Sequence, residues 1–563
     1  MHDAASSGPS VTTTRSAFKR ARANTWYPSI AETVLTLCSA LLLIFSFPNF
    51  DLWFLAWVSL VPLLIILARR PRDTSAFILG WLWGTLFFYG TCYWLTYSMI
   101  RYGHIPTWIA YALLLIPVVL VALFPALSCL VLARLLARGG TVALFAAPFV
   151  WASFEWARLA ITGQLWNAAG YSQTYFPVLI QTARWGGVYA VGFLILLSNG
   201  VLAYLLLERN RRALIVSAII LLAIVTVVFV SARSIVVAKS SALSWPQVVV
   251  VAVQPNVPME PVADRTAMEA LIKLHISLST TALQNWERNG QVDHAGSVDS
   301  DWTRHDSLAE RRAIPRVVIW PESPMNFAYG SDPQLRDLLT GFVKENRTSL
   351  LFNSLESAPE GGDYNSALMV NEEGRLVAQY DKIRLMPFGE YVPLPGWVPG
   401  SNMIAPLVGG FTAGTKYSLV PLGQTRAGVF ICFESAFPSI ARTFTNEGAG
   451  ELINISNDGY LGPTPVMRQH LANAIFRAVE NDRPLLRVTN TGLTAYVSGN
   501  GKVKDLTSGF QPAVRIWIVN ENSAKTFYTK HGDLFVGLCA FITLVTLAAS
   551  VASGGLLAKS RGK

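Results

Sequence analysis

Three residues in the second half of the chain carry side chains that together suit a reaction at a carbonyl carbon. They are Glu322 in Arg316-Val-Val-Ile-Trp-Pro-Glu-Ser323, Lys382 in Tyr380-Asp-Lys-Ile-Arg384, and Cys432 in Ala427-Gly-Val-Phe-Ile-Cys-Phe-Glu-Ser435. A carboxylate is a base, an ammonium stabilises an oxyanion, and a thiolate is a nucleophile. Each residue follows or closes an apolar, β-branched run, which is typical of a strand. We therefore expect sheets to deliver the three side chains to one rim.

Each of these side chains also has an ordinary interpretation when it is taken alone. Cys432 can be a small buried hydrophobe, Glu322 a surface acid after a strand, and Lys382 a solvated lysine. For catalysis, the Cys432 thiol needs a base, and Glu322 is the candidate, with Trp320 expected to shield it from water. Lys382 and the backbone N–H of Phe433 are the candidate donors to an oxyanion.

The composition of the whole chain favours a membrane protein. Of its 563 residues, 52% are hydrophobic and 14% are charged, with a mean hydropathy of +0.39, whereas soluble proteins carry about a quarter charged residues. A helix needs about 20 apolar residues to cross a bilayer. The segments predicted to cross are 30–48, 51–68, 75–98, 107–133, 142–162, 185–207, 213–231 and 534–557, about eight in all.

The distribution of charge predicts the orientation of these spans. Fifteen Lys and Arg residues but only three acids lie in alternate connections and tails, namely 1–29, 69–73, 134–140, 208–212 and 558–563. The positive-inside rule places these segments in the cytoplasm. The predicted order is therefore a cytoplasmic tail (1–29), a seven-helix membrane domain (30–231), an extracytoplasmic domain (232–533), an eighth helix (534–557) and a cytoplasmic tail (558–563). The net charge of +10 follows from this topology and gives no support to nucleic-acid binding.

The extracytoplasmic domain reads as an α/β layered structure. A first apolar strand is predicted within 244–256, ended by Pro255. Further strands are predicted near 316–321, 348–354, 366–371, 375–381, 426–432, 450–456, 485–489, 494–498 and 513–519, with helices over 263–286 and 467–481 and a polar insertion at 287–314. Such a pattern indicates sheets covered by helices. Cys432 is the only cysteine in this domain, so it has no disulfide partner there. No His/Cys cluster has the spacing of a metal site, His470 is expected to be an ordinary buried or surface histidine, and neither metal nor cofactor is expected.

Taken together and in this order, the three sequence segments around Glu322, Lys382 and Cys432 resemble the nitrilase superfamily, whose members use a Glu–Lys–Cys triad. Asn457-Asp-Gly-Tyr460 and Arg477-Ala-Val-Glu-Asn481 are also of the type seen downstream of the cysteine in that superfamily. Polytopic spans around such a domain are similar to the apolipoprotein N-acyltransferase family of bacterial inner membranes. Pro387-Phe-Gly-Glu-Tyr-Val-Pro393, directly after the lysine, is the most specific match, and Glu155-Trp-Ala-Arg158 with Trp166 and Gly170-Tyr-Ser-Gln173 resembles the fifth span and its loop.

The resemblance implies a fold and a set of roles. The fold is a polytopic α-helical membrane domain with an α-β-β-α nitrilase-like sandwich outside it. Glu322 is the implied proton acceptor, Lys382 the transition-state stabiliser and Cys432 the nucleophile. Glu390 and Glu434 are implied supporting acids, and Phe433 stands where the family commonly has tyrosine. Substrate contacts are expected from Trp320, Phe388, Tyr391, Asn457 and Tyr460, with a lid over Tyr391 to Phe411.

The implied substrates are a phospholipid acyl donor and a diacylglyceryl apolipoprotein acceptor, handled by a monomer embedded in membrane lipid. Two other functions remain open from the residues alone: a membrane-tethered amidohydrolase with the same triad, and a transporter whose outer domain only binds. The intramembrane pair Glu155 and Arg158 is either functional or a structural lock, since ionisable groups within a span are costly.

Overall fold

The computed structural model describes residues 27–233, 248–259, 264–290, 312–322, 327–392, 410–519 and 524–561. Most of the predicted N-terminal tail, of the insertion at 287–314 and of the lid over Tyr391 to Phe411 lies outside the described residues.

Apolar helices make up the first part of the chain and return near its C-terminal end. They are α1 (Ile30–Phe45), α2 (Val61–Arg69), α3 (Asp73–Cys92), α4 (Leu95–Arg101), α5 (Thr107–Val121), α6 (Leu123–Gly139), α7 (Ala147–Thr162), α8 (Ala183–Glu208), α9 (Arg211–Ala232) and, after the outer domain, α15 (Leu534–Arg561). Within the described residues, five helical stretches are long and apolar enough to cross a membrane, and two shorter apolar ones accompany them. The chain is thus built to span a membrane, and the number of about eight spans stays a prediction.

Helix α8 changes direction where it meets the outer domain. Gly186 and Gly187 interrupt the helical backbone, and Gly187 has φ +64°, a conformation that residues with a Cβ rarely adopt. A Cβ at Gly186 would lie 2.6 Å from the ring of Phe535. The break frees the N–H of Val188, which donates to Glu480 Oε1 at 3.0 Å. The two glycines therefore let a membrane helix form a polar contact with the outer domain.

The outer domain contains two six-stranded sheets. The strands are β1 (Val248–Gln254), β2 (Arg316–Ile319), β3 (Ser349–Ser357), β4 (Asp363–Val370), β5 (Leu376–Asp381), β6 (Leu419–Leu422), β7 (Thr425–Ile431), β8 (Glu451–Ser456), β9 (Leu485–Thr489), β10 (Ala495–Val497), β11 (Val503–Lys504) and β12 (Ala513–Val519). The first sheet has the order β12-β1-β2-β3-β4-β5, and the second has the order β11-β10-β9-β8-β7-β6. Parallel pairing of β1 with β2, β2 with β3, β7 with β8 and β8 with β9 brings their carboxyl ends to common edges.

Helices cover the outer face of each sheet. The helices of this domain are α10 (Arg265–Asn289), α11 (Pro333–Asn346), α12 (Pro438–Asn446), α13 (Val466–Asn481) and α14 (Phe527–His531). Apolar side chains of α10 and α11 form one core with the first sheet. The inner faces of both sheets, α12, α13 and the membrane helices share a second core. The predicted α-β-β-α sandwich beside a helical membrane domain is confirmed.

Candidate active site

The ammonium of Lys382 lies between two carboxylates. Lys382 follows the end of β5 and is buried, with Nζ at 2.8 Å from Glu390 Oε1 and 3.5 Å from Glu322 Oε1. Burial lowers the pKa of this lysine, but the carboxylates of Glu390 and then Glu322 outweigh it and raise the pKa above its usual value. Lys382 is therefore a fixed positive charge, suited to stabilise a negative oxygen rather than to donate a proton.

Asn365 on β4 ties the two carboxylates together. Its Nδ2 donates to Glu390 Oε1 at 2.8 Å and to Glu322 Oε1 at 3.0 Å. The second oxygen of Glu390 accepts from Met386 N at 2.7 Å. The second oxygen of Glu322 accepts from Asn457 N at 3.1 Å. Glu390 is thus committed to holding Lys382, while Glu322 keeps a weaker contact to the lysine.

Cys432 closes β7 in a left-handed backbone conformation, with φ +53°. Such a φ is uncommon for a residue with a Cβ, and it points the side chain out of the run of the strand. The short 3₁₀ helix Cys432–Ala436 begins here. Burial raises the pKa of the Cys432 thiol, the Glu322 carboxylate raises it further, and Lys382 opposes both. These couplings place Cys432 in electrostatic contact with Glu322 and Lys382.

Glu434 joins the turn that begins at Cys432 to the segment that carries Lys382. Its buried carboxylate accepts from Ile431 N at 2.8 Å, Ile383 N at 2.8 Å and Arg384 N at 3.0 Å. The Tyr380 hydroxyl donates to it at 2.8 Å. Burial raises the pKa of Glu434, and the backbone donors oppose this. Glu434 acts as a clamp between β7 and the chain after β5, so its position supports a structural role beside Cys432.

Phe433 connects the turn that begins at Cys432 to the membrane half. Its ring stacks on Trp166 with centroids 5.8 Å apart and planes at 16°. The indole N–H groups of Trp166 and Trp94 both donate to Gln469 Oε1, at 2.9 Å and 3.0 Å. Trp94 and Trp166 lie in the membrane half and Gln469 on α13. The residue after Cys432 is therefore packed against a loop that the membrane helices hold.

The other expected substrate contacts lie at different positions around the site. Asn457 touches Glu322 through its backbone, and Tyr460 is exposed with its ring 5.2 Å from that of Tyr102. Phe388 is exposed with φ +60°, and Tyr391 is exposed beside it, with Phe388 N donating to Tyr391 O at 2.8 Å. Their exposure near Lys382 leaves them available to a ligand.

The expectation for Trp320 needs correction. Its side chain is buried on the far side of the first sheet, where its indole N–H donates to Ser279 Oγ at 3.0 Å and its ring lies 4.9 Å from that of His275. Strand β2 ends at Ile319, so the alternation of side chains does not continue to Glu322. Trp320 therefore neither shields Glu322 nor faces the site.

Sequence reasoning missed several residues of this site. Asn365 was not singled out, Trp166 and Asp458 were quoted only within motifs and without a role in the site, and His470 was expected to be ordinary. The available signal for Asn365 was a polar side chain within an apolar strand. His470 contacts the Cys432 backbone, with Nε2 at 2.9 Å from the carbonyl oxygen.

Glu155 and Arg158 serve the loop that holds Trp166. Glu155 Oε1 accepts from Ala169 N at 2.8 Å and from Trp151 Nε1 at 3.1 Å. Arg158 Nη1 donates to Trp166 O at 2.9 Å. Both side chains are buried and bind the loop rather than each other, which favours the structural interpretation of the pair.

Two family models match the two halves of the chain. Residues 39–201 match the family model of the apolipoprotein N-acyltransferase N-terminal domain, and residues 316–519 match that of carbon-nitrogen hydrolase. Among solved structures, an amidase from Nesterenkonia sp. matches with a TM-score of 0.34 and 15% identity, over 50% of this chain and 95% of that chain.

Curated relatives match over most of their length. An apolipoprotein N-acyltransferase of Chlorobaculum tepidum is 28% identical over 554 residues, which cover 92% of this chain and 96% of the relative. One of Geobacter metallireducens is 31% identical over 521 residues, which cover 90% of this chain and 93% of the relative. With this identity over nearly the full length of both proteins, the chain belongs to the apolipoprotein N-acyltransferase family.

Proposed function

We propose that this protein moves a fatty acyl chain from a phospholipid to the α-amino group of the N-terminal diacylglyceryl-cysteine of an apolipoprotein, through a thioacyl intermediate on Cys432. One observation carries the proposal. The Lys382 ammonium lies 3.5 Å from Glu322 and 2.8 Å from Glu390, and it is coupled to a nucleophile turn that packs against the membrane half. Base, cation and thiol are thus gathered next to the compartment that holds both lipid substrates.

The first half-reaction forms the thioester. Because burial raises the pKa of the Cys432 thiol, the resting side chain is protonated and needs a base. Glu322 takes the thiol proton as the sulfur attacks the ester carbonyl of the phospholipid, at its sn-1 chain. Lys382 and Phe433 N–H stabilise the oxyanion. The C–O bond then breaks, the glycerol oxygen takes the proton from Glu322, and a lysophospholipid leaves.

The second half-reaction transfers the chain. The free α-amino group of the lipoprotein cysteine attacks the thioester carbonyl, and the same two donors hold the oxyanion. Glu322 accepts a proton from the attacking nitrogen and returns it to the departing Cys432 sulfur, which restores the starting enzyme. The product is an amide. The two half-reactions together form a balanced ping-pong transfer.

The membrane half gives this chemistry its location. We propose that the protein lies in the bacterial inner membrane, with both termini in the cytoplasm and the sandwich in the periplasm. Both substrates keep their acyl chains in the bilayer, so a soluble enzyme would have to extract them at a cost of about 0.8 kcal/mol per buried CH₂. The contact of Trp166 with Phe433 supports delivery of the donor from the membrane side.

The deciding experiment is intact-protein mass spectrometry after incubation of the purified enzyme with phospholipid vesicles and no acceptor. We expect a fatty-acyl adduct that hydroxylamine removes and that Cys432→Ala lacks. Adding a diacylglyceryl lipopeptide should discharge the adduct and yield the N-acylated peptide. Absence of the adduct in wild type, with ammonia released from small amides, would favour a tethered amidohydrolase. Normal lipoprotein processing in cells that carry Cys432→Ala would favour a non-catalytic role.

A further inference from the structure

A buried chain of charged groups ends on the backbone of the nucleophile. His470 lies on α13 and is 3% exposed, with Nε2 at 2.9 Å from the carbonyl oxygen of Cys432 and Nδ1 at 2.8 Å from Asp458 Oδ1. Behind it, Arg487 Nη2 donates to Asp458 Oδ2 at 3.0 Å. The groups therefore run in the order Arg487, Asp458, His470 and the Cys432 carbonyl.

The partners of His470 fix the position of its ring. Burial alone would raise the pKa of Asp458, but the Arg487 guanidinium and then His470 outweigh burial and hold the pKa at about 2. Asp458 is therefore ionised and can only accept hydrogen bonds. With Nδ1 on this carboxylate, Nε2 of His470 is held against the Cys432 carbonyl.

The carbonyl that receives His470 belongs to the same peptide group as the Phe433 N–H. A peptide group is planar, so a hydrogen bond that fixes the direction of the carbonyl also fixes the direction of the N–H. This peptide follows a residue with φ +53°, so its orientation depends on such outside contacts. A donor on the carbonyl oxygen also polarises the group and makes its N–H a stronger donor.

Asn454 on β8 holds the same carbonyl from a second direction. Its Nδ2 lies 3.4 Å from the Cys432 oxygen and 3.2 Å from the Phe430 oxygen. Its Oδ1 accepts from Arg487 Nη1. Arg487 thus supports both groups that contact the Cys432 carbonyl, one directly and one through Asp458. The peptide is anchored from β8, β9 and α13.

We propose that His470 is a positioning residue that orients and polarises the Cys432–Phe433 peptide, so that the Phe433 N–H stabilises the oxyanion formed at Cys432. This role presupposes the proposed acylation of Cys432 and adds to it the group that prepares the second oxyanion donor. His470 acts through the backbone and does not touch the substrate. It should therefore matter for reactions that pass through an oxyanion and not for those that do not.

Two reagents separate these cases in the purified full-length enzyme. A 4-nitrophenyl hexanoate ester acylates the thiol through an oxyanion, whereas iodoacetamide alkylates the thiol by direct displacement without one. In His470→Gln, we expect kcat for the ester to fall by about 10- to 100-fold with KM little changed. The rate of iodoacetamide labelling of the Cys432 peptide, followed by mass spectrometry, should stay within about twofold of wild type.

His275 provides the matched control. It is also a buried histidine, with Nδ1 at 2.7 Å from Leu271 O, but it lies behind the first sheet, away from the nucleophile. His275→Gln should leave both rates per folded molecule unchanged. Equal losses of acylation and alkylation in His470→Gln would overturn the proposal, because they would mean a displaced thiol. Unchanged acylation would overturn it as well.

Asp458→Asn covers the case in which His470→Gln does not fold. The amide keeps the size of the side chain but replaces the carboxylate that holds Nδ1 of His470 with a neutral and weaker partner. We then expect a smaller loss of ester kcat, about 3- to 10-fold, with alkylation unchanged; no loss would overturn the part of Asp458 in holding His470. A wild-type enzyme that the ester acylates but phospholipid does not would contradict the proposed donor and leave the role of His470 standing. Acylation by neither would overturn both.

Discussion

The two sheets of the outer domain differ in what supports them from behind. The first sheet is backed by α10 and α11 through an apolar core in which the buried histidine, His275, contacts a helix carbonyl and the ring of Trp320. The second sheet is backed by α13, where the buried histidine, His470, contacts the Cys432 backbone and Asp458. The helices behind the first sheet support it by packing, and α13 behind the second sheet also makes polar contacts to Cys432.

The polar contacts of α13, behind the second sheet, continue into the membrane half. Gln469, next to His470, accepts from Trp94 and Trp166 and donates to Thr91 O at 3.0 Å. Buried polar groups of this kind are costly unless every one has a partner. Through Gln469, the membrane helices form part of the support of Cys432. Changes behind the second sheet should therefore alter activity, and changes behind the first should alter stability alone.

The largest effect is expected at the rim where the sheets meet. Lys382→Met removes the cation that two carboxylates share, so we expect acylation of Cys432 by phospholipid to fall by about 10³-fold or more, since both oxyanion stabilisation and the neutralising charge are lost. The adduct rate measured by mass spectrometry checks this. Lys344→Met, at an exposed position on α11, is the matched control and should match wild type. Retention of more than about a tenth of the rate would remove Lys382 from the reaction.

The link between the two sheets gives the next effect. Glu434→Gln presents an NH₂ group to backbone donors that now share a carboxylate, so we expect about 2–4 kcal/mol of lost stability and about 10- to 100-fold slower acylation. Tyr380→Phe removes only one donor to the same carboxylate and should cost about 1 kcal/mol with activity nearly intact. Thermal unfolding and adduct rates of the two variants check this order. A larger effect from Tyr380→Phe would contradict the clamp role of Glu434.

A pair of changes behind the two sheets tests the comparison directly. Gln469→Leu leaves the indole N–H groups of Trp94 and Trp166 without their shared acceptor, so we expect lower stability and about tenfold slower acylation, because Trp166 stacks on Phe433. Ser279→Ala removes the acceptor of the Trp320 indole behind the first sheet. It should lower the midpoint of thermal unfolding without slowing acylation. Equal activity losses in both variants would contradict the proposed difference between the helices behind the first sheet and α13 behind the second sheet.

The sequence predicts much of this structure because local patterns carry it. The β-branched runs correspond to strands such as Val248–Gln254 and Thr425–Ile431, and the helix predicted at 467–481 is Val466–Asn481. Trp320 shows the limit. Like Val318 two residues before it, Trp320 packs behind the first sheet, whereas Glu322 faces the site because β2 already ends at Ile319. The stacking of Trp166 on Phe433 and the contact of His470 with Cys432 join residues far apart in sequence. A lone histidine or tryptophan gives no local sign of such a partner.

The smallest effect on activity is expected from His275, which lies on α10 behind the first sheet and should affect only how stability depends on pH. Burial lowers the pKa of His275 from 6.5 to about 4, so between these values an unfolded chain binds a proton that the native chain does not. This contribution to stability is complete above pH 6.5 and falls by about 3 kcal/mol as the pH drops to 4. We expect the thermal midpoint of wild type to fall by about 5–10 °C over this range, and that of His275→Leu to fall less, with equal acylation rates at pH 7. The same decline of the midpoint in both proteins would assign the acid sensitivity to other groups. Slower acylation in His275→Leu would mean that the helices behind the first sheet also affect Cys432.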